Sequence, residues 1–212
     1  MAQIPIFQAR GGFEGHHPDM GSCEEKRERI PTREECLMLM ERYGMLDNIV
    51  EHSLKVAKVA LFLSSELNRS GQRIDLRLVE ASSLLHDITK TICLRTKEDH
   101  TSTGYHLLKG MGYERVGQVV GQHVWLEKKG DSSSVSEEEV VNYADKRVRH
   151  DEIVSLDKRF NDLKKRYGRN EESIAYLERM EKAILEVETK IFLILKIHPD
   201  DVERLLGKEH GA

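Results

Sequence analysis

The chain has 212 residues, of which 33% are charged, with only 4 prolines and a formal net charge of -4 from 33 basic and 37 acidic residues. That length holds one domain with appendages and a sizeable core, and the near balance of charge excludes a global field drawing the surface to nucleic acid or to an anionic membrane. No window approaches the roughly 18 consecutive apolar residues of a membrane span, and there is no cationic start followed by an apolar run and a cleavage site. Cys23, Cys36 and Cys93 form no CxxC pair, so the expectation is a soluble chain with unpaired thiols in a reducing cytoplasm.

Residues 1–30 carry Gly11-Gly12, His16-His17-Pro18 and a charged run from Glu24 to Arg29 without a sustained period, the pattern of a flexible arm. A helix starts at Pro31-Thr32, where Thr32 and Glu35 have the spacing of a capping box, and it ends at Tyr43-Gly44. A longer helix runs from Asp47 to about Asn68. On it His52, Val56, Val59 and Leu63 share one stripe, so the imidazole faces the core, either as a hydrogen-bonded core histidine or as a ligand. Asp75 caps a third helix whose Leu78, Ala81, Leu85 and Ile88 share a face, and His86-Asp87 arrives near its C-terminal end, followed at once by Thr89 and Lys90. His100 opens a helix with Gly104, Leu107 and Leu108 on the same face, closed by Gly110-Met111-Gly112. The next helix begins near Tyr113 and places Val116, Val119, Val120 and His123 on a single stripe.

Residues 130–136 read as a loop, after which Glu137 to Glu139 suit the positive N-terminus of a helix bearing Val141, Asp145 and Val148 toward the core. A carboxylate aimed inward is costly unless it is hydrogen-bonded, paired or bound to a metal. Lys146, Arg147 and Arg149 point elsewhere around that helix, so metal ligation is the expected solution. Arg147, Arg149, Lys158 and Arg159 make a locally basic segment, either a solvated face or, beside a metal, a surface that holds phosphates. From Glu171 to Lys196, Leu177, Met180, Ile184, Val187, Ile191 and Ile194 alternate by three and four, a narrow seam that packs on the domain or on a second subunit to give a homodimer. His198-Pro199 stops this helix, and a last short one through Leu206 ends at Gly207.

Jointly, His52, His86, Asp87, His100, His123 and Asp145 are imidazoles and carboxylates presented from five helical segments, nearly all on core-facing stripes. Such a set can hold two cations with a bridging water, the arrangement used for in-line displacement at phosphorus. The order His, His-Asp, His, His, Asp, carried by Glu51-His52-Ser53, Leu85-His86-Asp87-Ile88-Thr89-Lys90 and Tyr143-Ala144-Asp145-Lys146, resembles the HD-domain metal-dependent phosphohydrolases from about Pro31 to Phe160. The resemblance implies an all-α, HD-domain-like helical bundle in which His52, His86, Asp87 and Asp145 bind a divalent metal. Likeness to the dinuclear members adds His100 and His123. His150-Asp151 matches nothing in the pattern, Ile88-Thr89-Lys90 stands where related sequences often have Ile-Gly-Lys, and Gly104-Tyr105-His106 is not the Gly-Tyr-Pro segment associated with cyclic dinucleotide phosphodiesterases.

The expected organisation is an N-terminal arm over 1–30, a metal-binding helical domain over 31–165 and a C-terminal helical extension over 166–212. The expected activity is hydrolysis of a phosphate ester or anhydride, of a nucleotide foremost, by metal-activated water. Asp87, Lys90 and Lys146 are the catalytic candidates, Lys90, Lys146 and Arg147 the substrate contacts, and one or two ions of iron, manganese, nickel, cobalt, zinc or magnesium the cofactor. The expected partner is a small phosphate or nucleotide, with no membrane and no strong case for nucleic acid. Two other readings use the same residues: a catalytically silent nucleotide-binding regulatory module and a di-iron oxygenase.

Overall fold

Short polar side chains write the boundaries of the helices. Thr32 Oγ1 accepts from the Glu35 amide while the Glu35 carboxylate accepts from the Thr32 amide, a complete capping box that opens α1 (Arg33–Arg42). Asp75 accepts from the amides of Arg77 and Leu78 to open α3 (Leu76–Leu85), and Ser136 with Glu139 repeats the capping box before α7 (Glu137–Lys146). In between lie α2 (Asp47–Arg69), α4 (Lys90–Thr96), α5 (His100–Gly110) and α6 (Glu114–Gly121). After α7 come a two-stranded antiparallel hairpin, β1 (Val148–Arg149) and β2 (Glu152–Ile153), and then α8 (Leu156–Tyr167), α9 (Glu171–Leu195) and α10 (Asp201–Lys208).

This computed structural model describes residues 29–127 and 133–208, and the fold is all-α apart from that hairpin. The segment 1–28, with His16, His17 and Cys23, and part of the expected loop at 130–136 lie outside the described residues. α2 is the central rod: Val56, Val59, Ala60, Leu63 and Leu67 are fully buried, and α3, α7 and α9 pack around it. Along α9, Leu177, Met180, Ile184, Val187 and Ile191 are buried and the helix lies against α2, α7 and α8, so the expected seam packs within the chain and shares one core with α2 and α7. No described helix is long and apolar enough to cross a membrane.

Four local expectations change. α3 stops at Leu85, because the Ile88 amide reaches Leu85 and the Lys90 amide reaches Asp87, three-residue bonds that tighten the chain into a turn. His86-Asp87 therefore sits just past the helix end, and Lys90 begins a new helix that the apolar pattern did not announce. α6 ends at Gly121, so His123 lies beyond the stripe it was assigned to. α7 ends at Lys146, and Val148 belongs to the hairpin. Finally, α8 emerges from what read only as a basic run.

Candidate metal centre and its cleft

Five elements deliver the polar cluster into the core. α2 brings His52, the turn after α3 brings His86 and Asp87, α5 begins at His100, and the turn after α6 brings His123; α7 adds Asp145 from the other side. Donor atoms of His52, His86 and Asp87 lie within 4.8 Å of one another, and so do those of Asp87, His100 and His123. Asp87 belongs to both groups and divides its oxygens between them: Oδ2 is 3.4 Å from His86 Nε2, whereas Oδ1 is 3.4 Å from His100 Nε2 and 3.5 Å from His123 Nε2. Asp145 Oδ1 lies 3.0 Å from His52 Nε2 and 3.7 Å from His86 Nε2.

The far side of each ring is tied to the backbone. His86 Nδ1 donates to the Ser83 carbonyl at 2.8 Å, His123 Nδ1 to the Val120 carbonyl at 2.7 Å, and His52 Nδ1 to the His150 carbonyl at 3.0 Å. This fixes the tautomer that leaves each Nε2 lone pair pointing into the cluster, the usual orientation of a metal-binding histidine. His150 has φ 56, a left-handed conformation at the hairpin tip. The second His-Asp dipeptide thus contributes a carbonyl that holds a ligand ring, which no side-chain pattern could disclose.

His86 Nε2 and Asp87 Oδ1 are buried and have no hydrogen-bond partner among the described residues. Such orphaned atoms are expensive in a dry core, and an imidazole lone pair beside a carboxylate oxygen is the donor set a divalent cation uses. Electrostatics agree. Burial works against ionisation of Asp87, but the charges of His86 and Lys90 outweigh it and hold the carboxyl well below the usual range; for Asp145, Lys146 and His52 do the same. Burial likewise disfavours a charged His86, yet the Asp87 and Asp145 carboxylates raise its pKa, so the two acids demand positive charge at this point. Burial and the neighbouring His123 push His100 down to about 4, and burial lowers His123, leaving both imidazoles neutral and available as ligands. The residues present fit a divalent metal.

Five of the six clustered side chains, all but the fully buried His86, form the floor of a cleft of about 650 Å³ walled by α2, α4, α8 and α9. Lys90 and Lys146 line it. Lys90 Nζ lies 2.6 Å from Asp87 Oδ2, and Lys146 Nζ donates to Asp145 Oδ2 and to the His123 carbonyl, both at 2.8 Å. The expectation that Lys146 points away from Asp145 is therefore corrected: a long side chain at the end of α7 folds back onto its neighbour, so the carboxylate is paired as well as clustered with imidazoles. Arg147, expected to hold phosphate, does not line the cleft. Its Nε donates to the Val154 carbonyl, Nη1 to the Tyr143 hydroxyl and Nη2 to the Pro199 carbonyl, which makes it a buried strut joining α7 to the hairpin and to the segment before α10. The far wall carries Arg159, Leu163, Arg166 and Tyr167 from α8, and Tyr176 and Leu177 from α9. Their spacing on α8, four, three and one, was the available signal, but the run of basic residues hid it.

Residues 49–149, from α2 through β1, match the family model described as HD domain. They include all six clustered side chains. This segment is an HD domain. The chain is also 30% identical over 141 residues to a tRNA (cytidine(56)-2'-O)-methyltransferase of Picrophilus torridus, a match covering 60% of this chain and 39% of that protein. It is 31% identical over 96 residues to the tRNA (cytidine(56)-2'-O)-methyltransferase of Thermoplasma volcanium, covering 45% of this chain and 26% of that protein. The chain therefore spans well under half the length of these curated relatives. No solved structure matches it significantly.

Proposed function

We propose that the HD domain is a metal-dependent phosphohydrolase acting on a phosphate ester or anhydride, with a nucleotide as the favoured substrate. The observation that carries this reading is the cleft: its floor is a buried imidazole-carboxylate cluster with orphaned donors, and apart from the two aspartates its charged lining is Lys90, Lys146, Arg159 and Arg166 against Glu98. Cations over a metal cluster suit an anionic substrate, which favours phosphoryl chemistry over oxygen activation by the same ligands. Tyr167, with Arg166 over its ring, and Tyr176, stacked on Trp125, add aromatic surface to the cleft that suits a planar group such as a nucleobase. Methyl transfer is not proposed for this chain, which covers only the stated minor part of the relatives that carry that name.

His52, His86, Asp87 and Asp145 would hold one divalent ion and Asp87, His100 and His123 a second. A divalent ion supplies a nucleophilic water at neutral pH and offsets charge gathering on the phosphoryl oxygens. Asp87 has the geometry to serve both groups, since its oxygens face different imidazoles. Lys146 gives two of its three protons to Asp145 and His123, which orients those ligands and leaves one for a phosphoryl oxygen. Lys90 gives one to Asp87 and reaches into the cleft with the rest; burial opposes its charge, but Asp87 raises its pKa, so it acts as a fixed positive charge and not as a proton donor. The test is phosphate release from a panel of nucleotides and simple phosphate esters with manganese, iron, nickel, cobalt, zinc and magnesium. Metal-dependent release is expected; binding without release under every condition favours the silent regulatory module instead.

A further inference from the structure

The second wall of the cleft comes from α8, which begins at Leu156, beyond the HD segment. On that wall Arg159 stands apart. Its side chain is only 13% exposed, yet Nε is buried without a hydrogen-bond partner among the described residues. It forms a long ion pair with Asp162, whose Oδ2 lies 3.7 Å from Nη1, beyond hydrogen-bonding reach, and is already bonded to Arg166. A guanidinium has five donors and no way to shed its charge, so a buried donor left without an acceptor is costly. Arg147 shows how this fold satisfies an arginine it uses as a strut, with an oxygen for each of its three nitrogens. Arg159 has none of these and lines the cleft instead. Lys90 and Lys146, the other cations near the floor, are tethered to Asp87 and Asp145, whereas Arg159 is not tied to any member of the cluster.

We propose that Arg159 is the substrate-recognition residue of this cleft, its planar fork taking two phosphoryl oxygens of an organic phosphate from the α8 wall. This rests on reading the cleft as a phosphohydrolase site. A fork matches phosphate in a bidentate way that an ammonium cannot, and losing a contact made equally in the bound substrate and in the transition state raises KM without lowering kcat. Arg159 accordingly sets affinity and discrimination, while the cluster at the floor sets the chemistry.

The experiment titrates zinc-loaded protein with inorganic phosphate by calorimetry at fixed ionic strength, for the wild type, Arg159→Lys and Arg159→Met, with metal content and melting temperature measured on the same samples. Arg159→Met is expected to weaken phosphate at least about tenfold, and Arg159→Lys to fall between it and the wild type, with metal content unchanged. Unchanged affinity in Arg159→Met at full metal content overturns the proposal. Should both variants misfold, the Arg159 Nε–Hε resonance of the wild type decides: it shifts as phosphate is added, or the assignment is wrong. Hydrolysis is followed separately. Phosphate bound through Arg159 with no ester cleaved by any metal form leaves the subsite standing and removes the phosphohydrolase reading; cleavage with an unchanged KM in Arg159→Met does the reverse.

Discussion

At the scale of single residues, the buried side chains divide by whether they have partners. Arg147 has a partner for each of its three nitrogens, His86 and Asp87 each keep one orphaned atom, and Thr89 uses the side chain that a glycine at that position would lack: its Oγ1 donates to the His100 carbonyl at 2.8 Å. That bond joins the turn carrying His86-Asp87 to the start of α5, so Thr89 couples the two halves of the cluster. Thr89→Val should lower stability by about 1 kcal/mol through the lost hydrogen bond and should weaken metal at His100 and His123 more than at His52 and Asp145; equal effects on both, measured by metal titration, would contradict the coupling. Cys36 is fully buried, and burial pushes its thiol up to about 12, so it should resist iodoacetamide in the native protein and react on unfolding, as read by mass mapping.

At the scale of elements, packing between helices leaves little tolerance. Gly117 on α6 faces α5, and a Cβ there would stand 2.9 Å from the Tyr105 carbonyl oxygen, a backbone atom that cannot swing away. Gly117→Ala should therefore destabilise by roughly 1–3 kcal/mol despite its better helix propensity, a sign that thermal melting reads directly. Glu138 in the first turn of α7 pairs with Arg115 of α6. Burial raises its pKa, but the hydrogen bond and charge of Arg115 outweigh burial and hold it below the ordinary glutamate value. A depressed acid stabilises the fold above its unfolded pKa, about 4.3, and loses that contribution as pH falls through the folded value. The melting-temperature gap between wild type and Glu138→Gln, worth about 1 kcal/mol at pH 7, should accordingly close as the pH is lowered below about 4. Element by element, the sequence was legible where periodicity and caps coincide, as at Thr32, Asp75 and along α9. It was less so where a helix yields to a turn. Three-residue bonds after Leu85 and the end of α6 at Gly121 depend on tertiary packing, so the apolar stripe ran on through Ile88 and His123 although the helices did not.

At the scale of the whole molecule, the HD segment supplies the floor of the cleft and the helices beyond it supply a wall. The six clustered side chains could be named from the sequence, because imidazoles and carboxylates on apolar stripes are rare enough to be noticed together. What surrounds them could not be: the His150 carbonyl against His52 is a backbone group in a left-handed residue, the tether from Lys146 to Asp145 joins sequence neighbours that helical geometry alone sets apart, and Arg159 reaches the cleft only because α8 folds over α9. These are properties of the assembled fold. Asp87 stands at its centre, between the two groups of imidazoles, and the most direct test of the account is an equilibrium titration of apoprotein with manganese or zinc, comparing the wild type with Asp87→Ala. The predicted result is tight binding by the wild type and loss of at least about a hundredfold in affinity at every site in Asp87→Ala, with helical content retained; wild-type affinity in Asp87→Ala would contradict a metal centre organised around this residue.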